Sequence, residues 1–248
     1  MVIVRTLLIG LAIGPLAAGA DWSTDIALVK DMVVLDKAYI PALMLTKEGD
    51  VSRAQAAVDR LADSWATFQS KWKSTVNQEW RAGFERIDEL VAESTKRVAA
   101  AQDLKRAHAV LDEIRHILAR LRKEEGISYF VDFVTSVEDA LDEVVRTVGQ
   151  DKHKPMTSDE LDVAEKGLLL AQKRWEVVAS TRLDKIVYRI DIYYMGDVSS
   201  TRAEGVLLLE ELTRDIRTLD RAILAEKVDQ LVDRVQHFLE ILGATPGS

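Results

Sequence analysis

The feature that most constrains this sequence is an apolar residue at every third or fourth position over nearly its whole length. Only 12 glycines and 4 prolines interrupt the pattern in 248 residues. This spacing puts the apolar side chains on one face of an α-helix, and such helices bury that face against each other. The sequence therefore predicts an all-α protein. We expect an antiparallel helical bundle of about five to eight helices, or two lobes built from helical hairpins.

The N-terminus has the composition of a secretory signal peptide, residues 1–20. Arg5 supplies a positive charge, Leu7 to Ile13 form a short apolar run, and Ala18-Gly19-Ala20 is a small-residue cleavage motif. We predict cleavage after Ala20 and a periplasmic protein, with retention of the segment as an anchor as the alternative. No later stretch reaches the ~18 consecutive apolar residues of a membrane-spanning helix, so no transmembrane span is expected in the mature chain.

Composition excludes several chemistries. The chain has no cysteine, which excludes disulfides, a c-type haem attachment and a cysteine-ligated iron-sulfur cluster. Its net charge is −8, and the basic run "RLRK" (120–123) is followed at once by two glutamates, so nucleic acid is not an expected partner. There is no Gly-rich phosphate loop, nucleophile elbow or H-E-x-x-H motif. The expected partner is a protein of the cell envelope or a small cation.

Helix-breaking residues divide the chain. We predict helices over 25–48, 51–73, 75–101, 104–125 and 127–149. This gives a helical bundle lobe at 21–149, a linker at 150–157, and a long helical hairpin at 158–248 that packs on or beside the first lobe. Thr157 and Glu160 form a capping-box pattern where that hairpin begins.

Two segments of the C-terminal part are ambiguous. Residues 185–195 alternate like a strand, but a lone strand has no partner, so we interpret them as a helix. Residues 201–242 form one helix, or two with a joint between Ile223 and Leu224.

Two patterns occur twice in the chain. "GDVS" stands at 49–52 and 196–199, and the apolar pattern of 51–68 recurs over 161–178. Duplication of a hairpin unit is one interpretation. Convergence on the same helix start and stop signals is the other.

The spacing Glu113-x-x-His116 is the one that carboxylate-bridged metal bundles use. Heptad positions, with a and d in the core, put both residues on the outer face of their helix, where they cannot bind a metal inside a bundle. His237 is also predicted to face outward, which argues against haem ligation together with Met32.

Two carboxylates interrupt an apolar flank at heptad position e, namely Asp36 and Glu138. A half-buried carboxylate needs a partner such as a lysine, an arginine, a tyrosine hydroxyl or a cation. The first hypothesis is an interhelical salt bridge. The second is a divalent cation or polar ligand held by Asp36, Glu138, Tyr39 and His108, the only histidine at the edge of a core; the identity of such a cofactor stays unknown.

The helix over 127–149 also carries a run of acidic residues. A solvated face is the simpler interpretation, and a docking strip for a basic partner is the alternative. The residues of such a strip are Asp132, Asp139, Asp142 and Glu143.

The stretches "LDKAYIPALMLT" (35–46) and "GISYFVDFVTSVEDALDEVV" (126–145) resemble segments of uncharacterised exported bacterial helical-bundle proteins. The resemblance implies a fold and no activity. The leading expectation is a non-enzymatic periplasmic protein that presents an interhelical polar pocket or a helical surface to a partner. The alternative is a metal- or cofactor-handling bundle with a carboxylate-rich interhelical site.

Overall fold

The computed structural model describes residues 22–100, 103–150 and 154–244, and this part of the chain folds into eight α-helices without a strand. The helices are α1 (Trp22–Glu48), α2 (Val51–Trp72), α3 (Gln78–Ala99), α4 (Leu104–Glu124), α5 (Phe130–Gly149), α6 (Ser158–Ser180), α7 (Tyr194–Asp215) and α8 (Arg221–Gly243). The predicted all-α bundle is confirmed.

The helices form two groups of four. Helices α1 to α4 pack in chain order and close on themselves through contacts between α4 and α1. Helices α5 to α8 close in the same way through α5 and α8, and the seam between α1 and α8 joins the two groups. Helix α5, which the sequence analysis grouped with the preceding helices, therefore packs against α6 and α8.

Helix α1 lies where the two groups meet and contacts α2, α4 and α8. Its Met32, Asp36 and Tyr39 are all buried as a result. At the α8 seam the backbones approach closely: a Cβ added to Gly243 would lie 2.8 Å from Cγ2 of Ile40. A polar residue on the inward face of α1 therefore has few routes to water.

Side-chain caps and a glycine turn define several of the helix ends. Asp50 caps α2 by accepting a hydrogen bond from the Arg53 amide, and Gly49 before it has a φ of +88°, which glycine adopts without strain. Thr157 and Glu160 form the expected capping box. Of the repeated patterns, the apolar one falls on α2 and α6, the second helix of each group, whereas the second "GDVS" lies inside α7.

The interpretation of 185–195 as a helix is wrong. Residues 181–193 form a series of turns, and α7 begins only at Tyr194. The alternating apolar residues do not share one inward side, because Tyr188 and Ile190 are buried whereas Ile186 and Ile192 are exposed. Beyond it lie two helices, with their joint at 216–220 and not between Ile223 and Leu224.

Candidate functional site

The predicted carboxylate Asp36 lies in a buried polar cluster where α1 meets the start of α5. The Tyr129 hydroxyl donates a hydrogen bond to Oδ2 of Asp36 over 2.5 Å. The guanidinium of Arg122 stacks on the Tyr129 ring, 4.4 Å from its centroid. The same guanidinium donates to both carboxylate oxygens of Asp132, at 2.8 and 2.5 Å. One arginine thus lies between two carboxylates and a phenol in the interior.

Burial dominates the protonation chemistry of this cluster. It raises the pKa of Asp36 to about 6, although the Arg122 charge and the Tyr129 hydrogen bond both act to lower it. Burial also lowers the pKa of Lys37 to about 8, against the effect of the Asp36 charge. Within the described residues, no acceptor lies within hydrogen-bond distance of the buried Nζ of Lys37. Ionising either group therefore costs the fold free energy.

The second predicted carboxylate, Glu138, belongs to a separate cluster centred on Arg115. The buried guanidinium lies 3.7 Å from Glu138 Oε2, and 2.7 and 2.9 Å from the carboxylates of Asp112 and Asp139. It also donates to the backbone carbonyl of Thr135. Burial raises the pKa of Glu138, and the Arg115 charge opposes this. These contacts are the ones that the salt-bridge hypothesis requires.

The other two proposed metal ligands bind backbone carbonyls. The Tyr39 hydroxyl donates to the carbonyl of Leu111 at 2.9 Å, and the His108 Nδ1 lies 2.9 Å from the carbonyl oxygen of Leu43. In the part of the chain that the structure describes, no three His, Asp or Glu side chains are grouped so that they could hold a metal ion. The four residues of the metal hypothesis are thus distributed over separate contacts.

The acidic residues of α5 are partly used inside the protein. Asp132 pairs with the buried Arg122 and Asp139 with the buried Arg115, and Glu143 pairs with Arg146 at 2.6 Å. Asp142 is exposed beside them. A basic partner would therefore compete with internal ion pairs for most of this strip.

His116 and His237 lie on the outer faces of their helices, as the heptad pattern predicts. Glu113 accepts hydrogen bonds from Arg86 on α3, and His116 lies beside Asp112 on the same exposed face. His237 is half-exposed and contacts Glu240 at 3.2 Å.

Sequence analysis missed Arg115 and Arg122, two of the three buried arginines among the described residues. Arg115 and Arg122 occupy heptad position e of α4, the position at which His108 was recognised as lying at the edge of the core. The signal was therefore present. Both arginines were assumed to be solvated, because a long arginine side chain at the edge of a core usually reaches water.

The outer surface of α6 presents apolar side chains to solvent. Val163, Leu170 and Val177 are seven residues apart and expose 36%, 43% and 42% of their surface, and Leu169 beside them exposes 46%. Lys166 and Lys173 stand between them, and within the described residues neither forms an ion pair or a hydrogen bond. We call this surface the α6 face: Val163, Lys166, Leu169, Leu170, Lys173 and Val177.

Two grooves lie along α3 and α4, with volumes of about 370 and 690 Å³. Residues of both charge signs line them, such as Arg86 and Glu113 in the smaller groove and Arg97 and Asp103 in the larger. Neither groove is lined by Asp36 or Glu138.

No protein-family model, curated protein or solved structure matches this chain. Among the described residues, no helix combines the length and the apolar composition needed to cross a bilayer.

Proposed function

We propose that the protein is a non-enzymatic, exported helical protein that binds a partner protein of the cell envelope through its helical surface. The observation that carries the proposal is the α6 face, where four apolar side chains lie in solvent at helical spacing. The export signal predicted at residues 1–20 supports the periplasmic location.

The arrangement of polar groups favours a surface over an internal pocket. The predicted interhelical carboxylates already contact groups of the protein itself: Asp36 binds Tyr129, and Glu138 lies beside Arg115. A ligand entering between the helices would have to displace these contacts and leave a charge buried and unpaired, which costs about 3–5 kcal/mol. The α6 face requires no such displacement.

The chemistry of the α6 face specifies its partner. Apolar residues seven apart fit a second helix that carries apolar residues at the same spacing. Lys166 and Lys173 have no acidic partner in the described chain and lie within one turn of Leu170. The expected partner is therefore an amphipathic helix whose apolar residues are flanked by Asp and Glu.

A second copy of the same helix is a poor fit. In an antiparallel pair centred on Leu170, Lys166 and Lys173 of both copies would lie near the middle of the contact. Four ammonium groups would then repel each other at the centre of the interface.

The first experiment tests location. Cells expressing the chain at native level are fractionated, and the N-terminal residue of the protein is determined. We expect the protein in the periplasmic fraction with its chain starting at Asp21. A cytoplasmic protein that keeps Met1 would overturn the assignment to the envelope.

The second experiment tests the surface. A photo-cross-linking amino acid replaces Leu170 in one variant and Leu207 in the control, a leucine of α7 that exposes 64% of its surface. We expect one envelope protein to be linked at position 170 and not at 207, and Lys166→Glu with Lys173→Glu to abolish the product. Equal labelling at both positions, or labelling that survives the charge reversal, would refute a specific α6 face.

A further inference from the structure

A second exposed surface lies on the connection between α6 and α7, at residues 181–193. Its inward side chains are Leu183, Tyr188 and Ile190, all buried, and the Tyr188 hydroxyl accepts a hydrogen bond from the Phe130 amide at 2.7 Å. This anchors the segment to the start of α5 and fixes which residues point outward.

The outward side chains of this segment are among the most exposed apolar groups in the protein. Ile186, Ile192 and Tyr193 expose 77%, 62% and 85% of their surface. Exposed apolar groups of this size in one short segment indicate a site of contact with another molecule or with a membrane.

The face of α1 beside the segment continues this surface. Ile26, Lys30 and Val34 are four residues apart on one side of α1, and Ile26 and Val34 expose 53% and 38% of their surface. Hydrogen bonds from the Val187 and Ile186 amides lower the pKa of Asp184, and the nearby charges of Arg182 and Lys30 lower it further. Lys30 therefore lies close to the segment.

Cations surround these apolar groups. Lys30, Arg182, Lys185 and Arg189 form no ion pair or hydrogen bond through their side chains within the described residues. The carboxylates of the segment are Asp184 and Asp191, which accept hydrogen bonds from its own backbone. Four cations against two carboxylates leave an excess of two positive charges, in a chain whose net charge is −8.

We infer that this surface, formed by residues 181–193 and the Ile26–Val34 face of α1, docks on an anionic lipid membrane. Isoleucine and tyrosine side chains with neighbouring lysine and arginine match the composition of segments that lie at a lipid–water interface. The positive excess complements anionic headgroups, each cation contributing about fivefold in affinity. The inference rests on the proposed envelope location and adds a second contact to it.

The test measures co-sedimentation of the chain from Asp21 to Ser248, which contains every described helix, with lipid vesicles. Vesicles of phosphatidylcholine are compared with vesicles that also contain phosphatidylglycerol. We expect binding to the anionic vesicles at low salt and its loss at high salt. Absence of binding to anionic vesicles at low salt would overturn the inference.

Matched variants separate this surface from the general charge of the protein. Lys30→Gln with Lys185→Gln should weaken binding to anionic vesicles on the order of 30-fold. Lys166→Gln with Lys173→Gln on the α6 face makes the same change in charge and should leave binding within about twofold. Equal losses in the two variants, or a larger loss in the α6 variant, would refute the assignment.

The apolar contribution has its own pair of variants. Ile186→Ser with Ile192→Ser should weaken vesicle binding, whereas Leu169→Ser with Leu170→Ser should not. Circular dichroism and thermal unfolding of all variants check that each one is folded. If the protein is periplasmic but does not bind anionic vesicles, this inference is wrong and the proposed function stands. If the protein is cytoplasmic, the proposed function is wrong even when the protein binds vesicles.

Discussion

Replacement of Asp36 by asparagine tests whether the buried charge of this carboxyl group determines how the stability of the protein depends on pH. The pKa of Asp36 is raised from 3.8 to about 6, and one pH unit of displacement corresponds to about 1.4 kcal/mol. Ionising this carboxyl therefore costs the folded state on the order of 3 kcal/mol. Asparagine has nearly the same shape, keeps an oxygen that can accept the Tyr129 hydrogen bond, and carries no charge at any pH.

The sign of the effect follows from the raised pKa. The neutral carboxyl stabilises the fold fully below pH 3.8, and this contribution is lost as the pH rises through about 6. Asp36→Asn removes that dependence. The stability of the variant relative to the wild type should thus increase by about 2 kcal/mol between about pH 4.5 and about pH 7.5.

Urea unfolding followed by circular dichroism gives both free energies at each pH. Asp63→Asn is the control, since Asp63 is exposed on α2 and loses the same charge without a change in burial. Its stability relative to the wild type should change by less than about 0.5 kcal/mol over the same range. If Asp36→Asn destabilises the protein equally at both pH values, the buried charge is not the controlling factor and the reasoning fails.

Three further predictions concern the interior. Arg122→Met should destabilise the protein by about 3–5 kcal/mol in urea unfolding, and neutralising its partner carboxylate in the same chain should restore part of the loss. Gly205→Ala should destabilise by about 1–3 kcal/mol, because the new Cβ would lie 2.1 Å from Cζ2 of Trp175. Gly149→Ala is the control and should leave the stability unchanged, because its new Cβ would meet nothing within 4 Å. If Gly205→Ala were as stable as the wild type, the contact between α6 and α7 would be looser than the structure indicates. Metal analysis of protein purified from its own compartment should give the same content for the wild type, the aspartate variant above and Glu138→Gln. Stoichiometric metal that is lost in both variants would instead support the metal hypothesis.

The fold class followed from the sequence because the apolar period is a local property. In the apolar pattern of 51–68, Ala54, Leu61 and Trp65 are buried, whereas Val51 at the start of α2 exposes 36% of its surface. The capping box of Thr157 and Glu160 could also be predicted, since a cap depends on the next three residues alone.

Apolar periodicity and cap patterns do not predict contacts between residues that are distant in the chain. The position of Asp36 in a core flank was visible, but its partner Tyr129 is 93 residues away in the chain. The segment 185–195 was misread for a related reason. Its Tyr188 hydroxyl accepts a hydrogen bond from the Phe130 amide, 58 residues away in the chain. This long-range contact stabilises the turns, and no local pattern in the sequence predicts it.

The closure of α1–α4 before α5 begins affects how the chain acquires its structure. All four helices of the first group contact neighbours in sequence or close the ring through α4 and α1, so the group can assemble as soon as the chain up to Glu124 is free to fold. The residues that complete its polar interior, Tyr129 and Asp132, come later. A nascent chain halted before them would therefore hold Arg122 without its carboxylate, and that truncated form should be the one that chaperones and proteases recognise.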